Sequence, residues 1–402
     1  MQRRDFLRHS TTLAGLGLAA NLTACARRAA APTPGLAFFD SVPPLVPIRA
    51  SVDRIFRITV CLRPFRAAGP RLDVESIGDK LIAHNYGHGG SGWSLSWGSS
   101  TIALENALAA SGGDRNIAVI GCGALGLTSA LLAQRAGARV TIYAKERPPE
   151  VRSSRATGTW TPDSRIALAN KAPATFAAQW ERMARTSWST YQSYLGMPGD
   201  PVEYVDRYVL KDTPPHLPRR PQPPEPLDFA QYSDRIADIS AGYTNLPPGT
   251  HPFPTPYVSR SPTLIFNVAD YAHQLVNDFL IAGGKIETME FHSPADLAAL
   301  PQKTIINCTG YGARQLWSDE SITPVRGQIA WLIPQQDLHY ALWYKGVNVI
   351  GRRDGIVVQN INGGDMVGYN DANETPDRAA AEADIAALAE LYSRMSAMHR
   401  RA

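Results

Sequence analysis

The sequence predicts an α/β protein built around a parallel, dinucleotide-binding sheet, and three observations predict it. The first is a strand–turn–helix–strand unit of about 30 residues in mid-chain. Residues 116–120 (Asn-Ile-Ala-Val-Ile) read as a short apolar strand, 127–136 as a helix, and 140–143 as a second strand. Between the first strand and the helix lies Gly121-Cys122-Gly123-Ala124-Leu125-Gly126. The first glycine permits the tight turn, the second lets backbone approach a pyrophosphate, and the third lets the helix pack close to the strand. The helix N-terminus then turns its partial positive charge toward the phosphates. The second observation is length. A chain of 402 residues is long enough for two domains of ordinary size. The third is the glycine density of residues 84–98, which brings bare backbone close to a bound group.

Composition narrows the function classes. Apolar residues make up 44% and charged residues 19%, a folded rather than a disordered balance. The net charge is +4, from 40 basic and 36 acidic residues, and no concentrated basic tract lies outside the N-terminus, which argues against nucleic-acid binding. The 31 prolines suit a loop-rich enzyme rather than a helical bundle. Seven of them fall in the stretch 213–226, read as a surface loop. The contexts of Cys25, Cys61, Cys122 and Cys308 argue against a disulfide framework. His84 and His88 lie four apart, but in the glycine-rich segment 84–98, which reads as non-helical, and no histidine has metal-ligand spacing with a second ligand, so no metal is expected.

The chain opens Met-Gln-Arg3-Arg4-Asp5-Phe6-Leu7, followed by a short apolar run that ends Leu22-Thr23-Ala24-Cys25. The run is too short to span a bilayer and has the shape of a secretory signal. The paired arginines resemble a twin-arginine export signal. The ending resembles a lipobox with Cys25 as the acylated residue; ordinary cleavage nearby is the open alternative. Residues 1–34 are therefore read as export signal and tether, giving a periplasmic or lipid-anchored protein.

Several segments resemble the D-amino-acid oxidase family of FAD-dependent enzymes. They are Ser153-Ser154-Arg155-Ala156-Thr157-Gly158-Thr159-Trp160, Ile306-Asn307-Cys308-Thr309-Gly310, and Pro324-Val325-Arg326-Gly327-Gln328. The most specific is His84-Asn85-Tyr86-Gly87-His88-Gly89-Gly90-Ser91-Gly92-Trp93-Ser94-Leu95-Ser96-Trp97-Gly98. Upstream of it, Cys61-Leu62-Arg63-Pro64-Phe65-Arg66 resembles the family's arginine-proline motif. The resemblance implies FAD as cofactor and a small amino-acid substrate, with oxygen as oxidant. It implies a Rossmann-type sheet domain beside a substrate domain with a mixed or antiparallel sheet and helices.

In the family, the arginine motif and the His-Asn-Tyr-Gly-His segment follow everything else. Here they precede the dinucleotide turn, so the sequence reads as a circular permutation joined through residues 101–108 and the linker 111–114. The expected FAD-binding domain is 51–170 together with 300–330, with 51–110 as the permuted C-terminal part. The expected substrate domain is 171–299 together with 331–402.

The resemblance also assigns roles. Arg63 would clamp the substrate carboxylate, for which a planar guanidinium has two parallel donors. Tyr257, in the strand read over 256–267 that feeds a helix read over 268–281, would donate to the same carboxylate. The Gly90 carbonyl would accept from the amine. Gly89, Ser91, Gly92, Trp93 and Ser94 would cradle the flavin ring, with Ser94 at its O2 edge. Ser153, Ser154, Thr157, Gly158, Thr309 and Gly310 would wrap the rest of the cofactor. The acid that usually takes the ribose hydroxyls is replaced by Ala144, leaving Lys145 and Glu146 as candidates there; a solvated surface role for Glu146 is the alternative. Arg260, Arg352 and Arg353 are candidates for a second cation near the substrate. Hydride transfer from the substrate α-carbon to flavin N5 needs positioning rather than an acid or base from the protein. Competing readings are a flavin dehydrogenase that reduces a quinone or other carrier, and a flavin-binding protein without catalysis.

Overall fold

The computed structural model describes residues 45–214 and 227–399, and the side chains of 396–399 are not described. The export signal, Cys25 and most of the proline-rich stretch (215–226) lie outside the described residues. In chain order the elements are β1 (Ile55–Arg66), β2 (Val74–Ile77), β3 (Lys80–His84), α1 (Gly92–Ala110), β4 (Asn116–Ile120), α2 (Ala124–Arg135) and β5 (Arg139–Ala144). Then come α3 (Phe176–Gln192), β6 (Val202–Lys211), β7 (Thr244–Leu246), β8 (Tyr257–Phe266), α4 (Val268–Ile281), β9 (Lys285–Thr288) and β10 (Thr304–Asn307). The last are α5 (Ala313–Leu316), β11 (Ile322–Leu332), β12 (Tyr340–Tyr344), β13 (Val347–Arg352), β14 (Gly355–Asn360) and α6 (Arg378–His399).

The strands form two sheets. The smaller has the order β2-β3-β10-β4-β5-β9, and β3, β10, β4, β5 and β9 run parallel. Its central strands β4 and β10 are buried almost throughout, as a sheet covered on both faces requires. The larger sheet has the order β1-β11-β14-β13-β12-β6-β8-β7 and is mostly antiparallel. Helix α4 turns Val268, Tyr271, Ala272, Leu275 and Phe279 inward at helical spacing and packs on α2. Helix α6 seats Ala381, Ile385, Leu388 and Tyr392 on one face of the larger sheet.

Two expectations need correction. Residues 92–98 are helical, although their glycines suggested irregular backbone. Gly92 is the first residue of the helix and only Gly98 interrupts the run from Trp93 to Ala110, where it serves packing: a Cβ there would stand 2.2 Å from the Met183 carbonyl oxygen in α3. The join read over 101–108 is the second half of this helix. The sheets also divide the chain differently from the domain boundaries expected. β1 and β11 belong to the larger sheet, paired from Ile55↔Leu332 to Arg66↔Ile322. β9 belongs to the smaller sheet. The described residues fall in one compact unit. The chain crosses between sheets too often for a boundary in sequence to separate them.

Candidate active site

One cavity of about 820 Å³ is bordered by the N-terminal ends of α1 and α2, the loop after β5 and the strand β1. At α2 the turn is forced by contact. Gly121 has φ +104°, and a Cβ there would stand 2.6 Å from the Cys308 carbonyl oxygen. Gly121, Gly123, Ala124 and Leu125 line the cavity, whereas Gly126 does not. Gly126 packs behind the turn, where a Cβ would stand 1.9 Å from the Gly121 carbonyl oxygen. The Ser153 hydroxyl caps the helix start by accepting from the Ala124 amide at 3.1 Å. The first turn of α2 holds no acid, so its dipole is left for an anion.

The second cradle is the turn from His88 to Gly90. Gly89 has φ +54° and donates to the Pro64 carbonyl at 2.8 Å, which ties the turn to β1. A Cβ at Gly89 would stand 1.9 Å from the Arg165 carbonyl oxygen. Gly89, Gly90, Gly92, Trp93 and Ser94 line the cavity. Ser91 does not: it is fully buried and donates to the carbonyls of Thr161 and Ser164. The Ser94 hydroxyl is taken by the Thr161 amide at 2.9 Å, which leaves the backbone at the α1 N-terminus as the donor toward a ligand. Behind the cradle runs a buried polar seam that sequence reasoning missed. Asn85 donates to Ser100 and Ser129, each at 3.1 Å, and Ser100 pairs with Thr128 at 2.9 Å. It fastens α1 to the dinucleotide helix, and no motif announces it because its members lie on three elements.

Between the cradles, Ser153, Thr157, Gly158, Thr309 and Gly310 line the cavity, and Ser154 does not. Arg352 is not a substrate cation. Its side chain is withdrawn from solvent, donates to the carbonyls of Ala156 (2.7 Å) and Thr157 (3.3 Å), and pairs with Asp354. It clamps this loop to the larger sheet. Arg353 pairs with Asp200 and Arg260 with Asp206, and neither lines the cavity. At the nucleotide end Lys145 and Glu146 line the cavity together with Glu290, from the neighbouring strand end, which pairs with Lys145 at 3.3 Å.

Arg63 stands on β1 and lines both this cavity and a smaller one of about 180 Å³ that also takes in Arg326 and Gly327. Its guanidinium lies over Gly327 of β11, where a Cβ would stand 2.2 Å from it. Among the described residues its one hydrogen bond is a long one to the Arg326 carbonyl at 3.4 Å, and no carboxylate forms an ion pair with it. Burial lowers its pKa, with Cys61 and Asp365 opposing. A buried cation without a counter-ion is costly, and a carboxylate ligand would relieve that cost.

Tyr257 is not beside it. The residue begins β8, pairs with Lys211, is 37% exposed and lies outside the cavity. β1 and β8 are six strand spacings apart in the larger sheet, about 29 Å at roughly 4.8 Å per spacing. His84 and His88 are structural: His84 bonds Glu75 at 2.7 Å and Asn307 at 3.0 Å, and His88 bonds Ser99 at 2.6 Å. No group of three or more His, Cys, Asp or Glu stands close enough to hold a metal ion among the described residues.

The residues fit a flavin dinucleotide. One cavity joins the acid-free N-terminus of α2, a glycine cradle at α1 where side chains would intrude, and loop 153–158 between them. Comparison with known proteins agrees. D-amino-acid oxidase of Dictyostelium discoideum is 29% identical over 220 residues, 53% of this chain and 56% of that protein. D-amino-acid oxidase of Streptomyces coelicolor is 28% identical over 218 residues, 54% and 58% respectively. The chain thus spans little more than half the length of these curated relatives. Among solved structures, iminodiacetate oxidase from Chelativorans sp. BNC1 has a TM-score of 0.45 at 16% identity, over 69% of this chain and 80% of that one. Glycine oxidase from Geobacillus kaustophilus has a TM-score of 0.40 at 13% identity, over 61% and 70%. The profile of the DAO family, described as FAD dependent oxidoreductase, matches residues 116–401. The chain belongs to the DAO family of FAD-dependent oxidoreductases.

Proposed function

We propose that the protein oxidises D-amino acids to 2-oxo acids and ammonia, with oxygen reduced to hydrogen peroxide. The observation that carries this reading is Arg63, a residue that lines the cavity of the dinucleotide turn and whose guanidinium has no ion-pair partner among the described residues. The bound flavin supplies the hydride acceptor. Arg63 fixes the substrate carboxylate by two parallel donors. The Gly90 carbonyl takes the amine, and the first-turn amides of α1, beside Ser94, hold the electron-rich edge of the ring. Ser153 and the α2 N-terminus hold the pyrophosphate. Holding the reacting carbon against the ring is the protein's contribution.

The test is anaerobic titration of the flavin-loaded protein with neutral, acidic and basic D-amino acids. Bleaching of the flavin is expected, and none across the panel would refute the reading. Oxygen uptake with peroxide release is expected on admitting air; dye reduction without oxygen uptake would replace the oxidase by a dehydrogenase. Arg63→Leu is expected to weaken carboxylate binding by two to three orders of magnitude, in line with about 2–5 kcal/mol for a buried charge pair. Unchanged binding in a variant that still holds flavin would remove Arg63 from the site.

Two features of the chain's history and address complete the proposal. Export by the twin-arginine route is supported by Arg3-Arg4 and the apolar run; a cell-fractionation assay with Arg3→Lys/Arg4→Lys tests it, and unchanged export refutes it. Circular permutation is supported by the start of the family match at residue 116, while β1 and β2–β3 complete one edge of each sheet.

A further inference from the structure

We propose that Glu290, just past the end of β9, is the acid that takes the adenosine ribose hydroxyls of the flavin dinucleotide, in place of the acid missing from the end of β5. The inference rests on the dinucleotide site and not on which substrate is oxidised.

The place of the ribose follows from the sheet. In a dinucleotide-binding unit the pyrophosphate lies at the glycine turn after the first strand, and an acid at the end of the second strand accepts from the ribose hydroxyls. Here those strands are β4 and β5, paired in parallel up to Ile120↔Tyr143. The Gly121 amide donates to the Tyr143 carbonyl at 2.8 Å. The residues that follow Tyr143 therefore stand beside the turn. They are Ala144, which is buried and has no acceptor in its side chain, and Lys145, whose ammonium only donates. Both line the cavity. A pair of hydroxyls placed here finds a donor and lacks an acceptor.

The neighbouring strand supplies the acceptor. β9 runs parallel to β5, paired up to Ala144↔Thr288, and the Met289 amide donates to the Ala144 carbonyl at 3.2 Å. The continuation of β9, from Met289 to His292, walls the same cavity. Glu290 Oε1 accepts from Lys145 Nζ at 3.3 Å. The lysine in the acid's place thus holds an acid from the next strand. Both side chains are more than half exposed (60% and 52%), and such a pair is weak by itself. The backbone beneath it is what is fixed. Arg147 donates to the Ile286 carbonyl at 2.9 Å and to the Thr288 hydroxyl at 3.2 Å, tying the loop after β5 to β9. Beyond Glu290, the Asp296 carboxylate accepts from the amides of His292 (2.6 Å) and Ser293 (3.0 Å). Glu290 sits between these two fastened points, and its second carboxylate oxygen has no hydrogen-bond partner among the described residues. Glu146 also lines the cavity, but it is exposed and no hydrogen bond or ion pair among the described residues orients it.

The test measures cofactor binding by the apoprotein, read from quenching of flavin fluorescence. Glu290→Gln keeps the shape and loses the charge, and is expected to raise the FAD dissociation constant about tenfold. Lys145→Glu/Glu290→Gln, which returns an acid to the end of β5, is expected to recover most of that loss. Displacement of FAD by ADP and by dideoxy-ADP, which lacks both ribose hydroxyls, reads the contact directly. The wild type is expected to prefer ADP by about tenfold. Glu290→Gln is expected to lose that preference, which loss of a purely structural residue would not do. Equal displacement by the two nucleotides in the wild type overturns the proposal, whether or not the variants fold. A preference for ADP that survives Glu290→Gln overturns it, as does one that falls in Glu146→Gln alone. An apoprotein that binds neither FAD nor ADP removes the dinucleotide site and this inference together. None of these outcomes turns on the choice of substrate, which the titration with D-amino acids decides separately.

Discussion

Arg63 holds its position because Gly327, two residues along β11 from its pairing partner Val325, has no side chain. Gly327 leaves the space its guanidinium fills, and no local pattern links the two, since they meet only through the β1–β11 pairing. The arginine itself was legible from its motif. Tyr257 was misassigned for the complementary reason: its strand was read correctly, but the order of strands in the sheet, which the sequence does not state, sets it six strand spacings from β1. His88 shows how burial alone sets a residue's behaviour. Desolvation pushes its pKa down from 6.5 to about 3, so the fold refuses a proton that the unfolded chain accepts. Stability from this residue is present above pH 6.5 and is lost as pH falls toward 3, by up to about 1.4 kcal/mol per pH unit. His88→Gln is therefore expected to show a shallower loss of stability between pH 6 and pH 4 in denaturant titrations. An equal slope in both proteins would place the imidazole in contact with solvent.

At the scale of elements, strong periodicity was read well. The expected helix over 268–281 and strand over 116–120 match α4 and β4 residue for residue, because each presents an unbroken apolar face or run to a core. Helix α1 was misread because glycine content was taken for irregularity. Gly98 lies against the Met183 backbone, and it is this crossing with α3 that requires a glycine. Gly98→Ala tests the point, since two effects oppose each other. Alanine gains about 1 kcal/mol of helix propensity over glycine, whereas an intruding Cβ in a packed interface costs about 1–3 kcal/mol. At 2.2 Å from a carbonyl oxygen the second effect is expected to win, with a net loss of stability in denaturant unfolding. A stabilised variant would show that the two helices can separate at little cost.

At the scale of the molecule, β1 and β2–β3 are consecutive in sequence but enter different sheets, and the cavity lies among elements from both. The cofactor should therefore act on the whole fold. Adding FAD to the apoprotein is expected to raise Tm in proportion to the logarithm of its concentration, by about 2.7 kcal/mol of stability at a hundredfold excess over Kd. A Tm independent of FAD would mean that the cavity does not take it. The sequence by itself singled out the dinucleotide turn, the glycine cradle and Arg63, because each is a local pattern whose proposed chemistry needs particular residue types at fixed spacing. The tertiary structure decided which strand ends face one another, which cations stay unmatched and that Glu290 stands beside Lys145. Those are consequences of strand order and long-range pairing, and neighbours in sequence carry no record of them.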